Sequence, residues 1–151
     1  MKSFFFSQKG ILLGLLCVVL ISFLGWEFFW RESHSDQVFH EVRIDDQVFQ
    51  LERADTDEER ALGLGYRDSL CDTCGMLFQF PEPGMYPFWM KGMRFPLDII
   101  WLDGNRVVFI VHAASPSSLE LFTSPEPANA VLEVNAGSAR NIERGDTLSF
   151  R

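Results

Sequence analysis

Apolar positions divide the chain at about residue 30. From Ile11 to Leu24 the run is broken only by Gly14 and Ser22, and it continues to Trp30 with a single charge, Glu27. No polar face interrupts it, which argues against a buried amphipathic helix. As a helix, residues 11–30 would span roughly 30 Å, the thickness of a bilayer's hydrocarbon core. Trp26, Phe28, Phe29 and Trp30 would then form an interfacial aromatic belt, and Lys2 and Lys9 would keep the N-terminus in the cytoplasm. The alternative is a cleaved signal peptide, but Gly25-Trp26-Glu27-Phe28-Phe29-Trp30 lacks the small residues of a cleavage site. The segments are therefore an anchor or signal peptide over 1–30, a polar tether over 31–37 and one domain over 38–151. This places the protein in the cytoplasmic (inner) membrane as a single-pass chain, its domain on the periplasmic or extracellular side.

After residue 37 the pattern changes to short apolar stretches separated by turn signals. Val38–Ile44 and Gln47–Leu51, joined by Asp45-Asp46, read as a hairpin. Thr56 and Glu59 form a capping box, predicting a helix from Asp57 to about Leu64 that Gly63 and Gly65 stop. Met76–Phe80 reads as a strand, Pro81–Gly84 as a loop, and Phe88–Lys91 as a further short strand. Leu97–Leu102 and Arg106–Ala113 flank Asp103-Gly104-Asn105, the clearest hairpin in the chain. A long Ser- and Pro-rich loop over 115–127 follows, then a strand at Ala130–Val134, one helical turn at Gly137–Ile142 and a final strand at Thr147–Phe150. The expected fold is mainly β, a small barrel-like or sandwich domain with one or two short helices, preceded by the transmembrane helix.

Composition narrows the function. The chain has 151 residues, 14% aromatic, and a formal net charge of −8. Disorder is excluded by the apolar content. The acidity falls almost entirely after residue 30 and opposes nucleic-acid binding, which needs a basic face. Three cysteines are too few for a disulfide-built miniprotein.

Six motifs follow in order: Gly63-Leu64-Gly65-Tyr66-Arg67, Gly75-Met76-Leu77-Phe78, Phe88-Trp89-Met90-Lys91, Phe95-Pro96-Leu97-Asp98-Ile99-Ile100, Val131-Leu132-Glu133-Val134-Asn135-Ala136-Gly137 and Gly145-Asp146. Their order and spacing resemble the domain of unknown function 192 family over residues 38–150. The resemblance implies a mostly β domain, often exported or membrane-anchored in prokaryotes, with no established reaction. Gly65 stands where the family usually has Met, Gly92-Met93 where it usually has Asn-Thr, and Cys71 and Cys74 lie outside its usual motif.

Arg67, Lys91, Asp98 and Glu133 are the polar members of otherwise apolar or glycine-rich motifs. Charges in half-buried strands are costly unless they are paired or face a pocket. They therefore mark either a ligand-binding cleft, joined by Trp89 as a stacking surface, or a framework in which Arg67 pairs with Asp98 or Glu133. The leading expectation is an exported module that binds a small molecule or an envelope protein, with no cofactor. A second is an envelope hydrolase or transferase with Asp98 or Glu133 as general acid or base; a perturbed carboxylate in a water-excluding cleft would favour it. A third is a copper or thiol-redox factor using Met76, Met85, Met90 and Met93 with Cys71 and Cys74. For the two cysteines a short-loop disulfide is the simpler reading, and the three histidines lack the spacing of a metal site.

Overall fold

A computed structural model describes residues 40–44 and 47–150. The expected N-terminal span and tether lie outside these residues. Among the described residues no helix is long and apolar enough to cross a membrane.

Among the described residues seven strands form one sheet: β1 (His40–Ile44), β2 (Gln47–Ala54), β3 (Cys74–Gly84), β4 (Leu97–Asp103), β5 (Arg106–Ala114), β6 (Ala128–Asn135) and β7 (Leu148–Phe150). One helix, α1 (Asp57–Leu62), connects β2 to β3. The strand order is β5-β4-β6-β3-β2-β1-β7. Every pairing is antiparallel except β2 with β3, where the α1 crossover brings the chain back in parallel. The sheet curls into a half-barrel, and hydrogen bonds near the β4–β5 turn draw its two edges together. The Val107 N–H donates to the Asp146 carbonyl at 2.9 Å, and the Leu148 N–H to that of Asn105 at 2.7 Å.

Both faces of the sheet are covered, because apolar residues occupy both sides of the central strands. The concave face buries Val42, Ile44, Leu51, Leu77, Ile100, Leu102 and Leu132, with Ala139 and Ile142 against them. The outer face buries Ala54, Met76, Phe78, Leu97, Ile99, Trp101 and Val131. It is covered by the α1–β3 loop through Leu64 and by the β3–β4 loop through Phe88 and Met90. Aromatic edges contribute: Phe88 meets Phe78 at 4.9 Å and Trp101 at 5.9 Å, both near-perpendicular.

The capping box forms as read. The Glu59 N–H donates to Thr56 Oγ1, and Glu59 Oε2 accepts from the Thr56 N–H. Other details differ. The predicted loop at Pro81–Gly84 continues β3, with a register irregularity between Gln79 and Gly84. Proline is tolerated at such a break because the ladder there asks for no N–H. Phe88 makes only an isolated bridge to Phe122 rather than heading a strand. Gly137–Ile142 is a pair of hydrogen-bonded turns, so α1 is the single helix among the described residues.

Candidate functional site

The register decides which charged side chains meet. Asp98 pairs with Val134, while Ile99 pairs with Glu133. Because side chains alternate, Asp98 enters the concave core and Glu133 the outer one. The two carboxylates that the sequence proposed for one cleft lie on opposite faces of the sheet.

Asp98 is fully buried, and both its oxygens are engaged. Oδ1 accepts the Ala113 N–H at 2.8 Å, and Oδ2 accepts those of Gly137 and Ala139 at 2.8 and 2.9 Å. Ala113 and Gly137 both have positive φ, 51° and 84°. The carboxylate thus pins the end of β5 and the turn after β6, and its hydrogen-bonding capacity is spent on the backbone.

Glu133 is the opposite case. Its residue is 5% exposed, with Met76 and Ile99 as its cross-strand neighbours. Among the described residues none hydrogen-bonds to its side chain. Burial alone raises its pKa from 4.5 to about 8, because an apolar setting penalises the charged form. The carboxyl is therefore mostly protonated at neutral pH.

Glu133 lines a cavity of about 40 Å³, room for about three water-sized atoms. Its walls come from α1 and the following turn (Arg60, Gly63, Leu64, Gly65) and from the β3–β4 loop (Trp89, Lys91, Met93). In this chain Gly65 packs tightly: a Cβ there would lie 2.9 Å from the Leu62 carbonyl oxygen, so the Met usual in the family would require the turn to shift. Next to it Tyr66 takes a positive φ of 64°, and its N–H donates to the Gly92 carbonyl at 2.8 Å. Gly92 also has positive φ, 76°, which Asn at this family position would tolerate better than most residues. The two glycine-bearing loops are thereby held against each other beside the cavity.

Two cationic side chains line the same cavity. Arg60 is fixed by the carbonyls of Asp55 and Gln79 and by the Asp57 carboxylate, and it lies over the Phe80 ring at 5.4 Å. The Lys91 ammonium lies 4.8 Å from the centre of the Trp89 ring, and among the described residues it has no carboxylate partner. Trp89 is 54% exposed and Leu62, also lining the cavity, 61%.

The remaining sequence candidates serve elsewhere. Arg67 does not pair with Asp98 or Glu133. It grips Glu52 of β2 through two bonds of 2.6 and 2.7 Å, which hold its guanidinium protonated. Glu52 is level with Met76, hence with Glu133 one strand further on. Met76 and Met90 are core side chains, and among the described residues no cluster of His, Cys, Asp and Glu could hold a metal. Cys71 and Cys74 form a disulfide at the entry to β3. The Gly63–Arg67 motif points to this loop, but nothing in the sequence marks Arg60 or Leu64 as part of its cavity.

A solved structure from Sinorhizobium meliloti 1021, described as a candidate transcription regulator, is similar at TM-score 0.71 and 31% identity, covering 74% of this chain and 92% of its own. A protein of unknown function from Novosphingobium aromaticivorans DSM 12444 is similar at TM-score 0.69 and 36% identity, covering 72% and 83%. None of the curated proteins matches the chain. The family profile DUF192, "Uncharacterized ACR", matches residues 40–150, so this chain belongs to the DUF192 family.

Proposed function

We propose that the domain is a small-ligand-binding module whose ligand inserts an oxygen-bearing end into the Glu133 cavity. The carrying observation is a carboxyl on a 5%-exposed residue that has no hydrogen-bond partner among the described residues and whose oxygens reach a cavity walled by two glycine-bearing loops. Such a group costs stability unless something binds it, so its position answers to a ligand rather than to the fold. At neutral pH its protonated form offers one O–H donor. The lining supports binding over hydrolysis. Among the described residues that line the cavity, Glu133 is the one carboxyl and none is Ser, Cys or His, so the usual nucleophile–base pair is absent from it. The apolar N-terminal run and the Cys71–Cys74 disulfide support display in an oxidising compartment outside the cytoplasm. A net charge of −8 has the wrong sign for a surface that tracks phosphates, so the regulator description of the Sinorhizobium protein is not carried over.

The test is a thermal-shift screen of the full-length chain at pH 7 with small amides, alcohols and carboxylates, run on wild type and Glu133→Leu. Leucine fills similar space without the polar group. Glu133→Leu is expected to raise Tm by several degrees and to abolish the shift given by the fragments that stabilise wild type. A lowered Tm, or fragment shifts that survive the substitution, would refute the reading.

A further inference from the structure

The charge and shape of the cavity's surroundings narrow the ligand, an inference that rests on the binding reading above. We infer that the site takes an organic carboxylate on an apolar body, with the anion among Arg60, Lys91 and the Glu133 carboxyl and the body against Trp89 and Leu62.

Size carries the first part. A cavity of about 40 Å³ admits only a two- or three-atom group, so one end of a ligand enters among the side chains of its wall. Those side chains include two cations and one carboxyl. Arg60 is immobilised by its carbonyl and Asp57 contacts, whereas Lys91 rests on Trp89 and keeps its ammonium donors for a ligand. A planar carboxylate matches this set: one oxygen accepts from the Glu133 O–H, and the charge is met by the two cations. An ammonium would meet the free charge of Lys91, and a neutral amide would leave that charge without a counter-ion; Arg60 already has Asp57.

The second part comes from the mouth. Trp89 and Leu62 are each more than half exposed although both line the cavity. Tyr66, 66% exposed, follows Gly65 of the cavity wall, its ring packed over Gly92. Apolar surface next to a narrow polar cavity suits a ligand whose charged end is buried and whose body stays outside on an aromatic wall.

Protonation of Glu133 couples to binding. The charged groups that line the same cavity are Arg60 on α1 and Lys91 on the β3–β4 loop, neither of which shifts the Glu133 carboxyl, with Glu52 on β2 and its partner Arg67 beyond Met76. Ionising Glu133 replaces a donor by a second anion, so affinity for a carboxylate falls as pH rises.

Calorimetric titration of the full-length chain with benzoate, benzamide and benzylamine at pH 6 and pH 9 tests this. Benzoate is expected to bind at least tenfold tighter than the other two at pH 6 and to weaken at least tenfold at pH 9. Lys91→Gln is expected to weaken benzoate about tenfold. Glu133→Gln, which keeps an N–H donor, is expected to retain benzoate and lose the pH dependence. Benzylamine or benzamide binding as tightly as benzoate, with binding still sensitive to Glu133→Leu, would overturn the ligand class and leave the site standing. Binding indifferent to Glu133→Leu would overturn the site as well. Absence of heat with all three up to their solubility limits would overturn the carboxylate assignment.

Discussion

Glu133 gives the sharpest quantitative expectation. Its carboxyl moves from 4.5 to about 8 on folding, so between those values the folded chain holds a proton that the unfolded chain has released. Stability then falls with rising pH, because the unfolded state binds fewer protons. The contribution is fully present below about pH 4.5 and is lost as pH passes through 8. At about 1.4 kcal/mol per tenfold change in proton affinity, complete ionisation costs about 5 kcal/mol. Glu133→Gln has the same shape and cannot titrate, and carboxylates common to both proteins cancel in the comparison. From pH 5 to pH 7 the wild type should lose about 2–3 kcal/mol relative to this variant, and by pH 9 about 4 kcal/mol. Guanidinium chloride unfolding at constant ionic strength, at four values from pH 5 to 9, measures the difference directly. Curves that stay parallel within about 0.5 kcal/mol would show that the carboxyl ionises as it does in water, and the argument from burial would fall.

Other substitutions separate fold from site. Asp98→Ala removes the acceptor of three backbone N–H groups, two of them at left-handed positions, and denaturant unfolding should show a loss of about 3–5 kcal/mol; a loss below about 1 kcal/mol would contradict its pinning role. Gly75→Ala would set a methyl 2.7 Å from the Glu133 carbonyl oxygen and 2.8 Å from the Leu51 side chain, so a Tm drop matching about 2–3 kcal/mol is expected, and an unchanged Tm would refute the packing. Replacing Cys71 and Cys74 together by serine opens a four-residue loop, for which chain entropy predicts a loss of about 2 kcal/mol under non-reducing conditions; equal stability of the two forms would refute it.

The sequence made the local elements legible where one physical signal dominated. Thr56 and Glu59 could only cap, and Asp103-Gly104-Asn105 could only turn. What it hid was sidedness. A strand exposed on one face advertises its orientation by alternation, but Leu97–Leu102 is buried on both faces. Nothing in Pro-Leu-Asp-Ile-Ile therefore told that Asp98 faces the concave core while its neighbour Ile99 sits level with Glu133. The partner of Arg67 was hidden for a related reason: Glu52 sits in a strand whose outward residues look like ordinary solvated positions. The site itself was half visible. Glu133, Lys91 and Trp89 stood out as polar or aromatic intrusions in fixed motifs. Arg60 did not, because a basic residue in the last turn of a helix already has an explanation in the helix dipole.

The hydrogen bonds that close the half-barrel also set the order in which the domain can be finished. Ser149 reaches Arg43, 106 positions earlier, and β1 has β7 as its outer neighbour. Contacts so distant in sequence form slowly, since the intervening chain must be ordered before they are rewarded. During synthesis the first strand waits, its outer edge unpaired, until nearly all of the domain has emerged. An open strand edge is a template for foreign strands. A chain interrupted before residue 145 would keep that edge indefinitely, so incomplete products of this protein should be markedly more prone to aggregate than their small loss of mass implies.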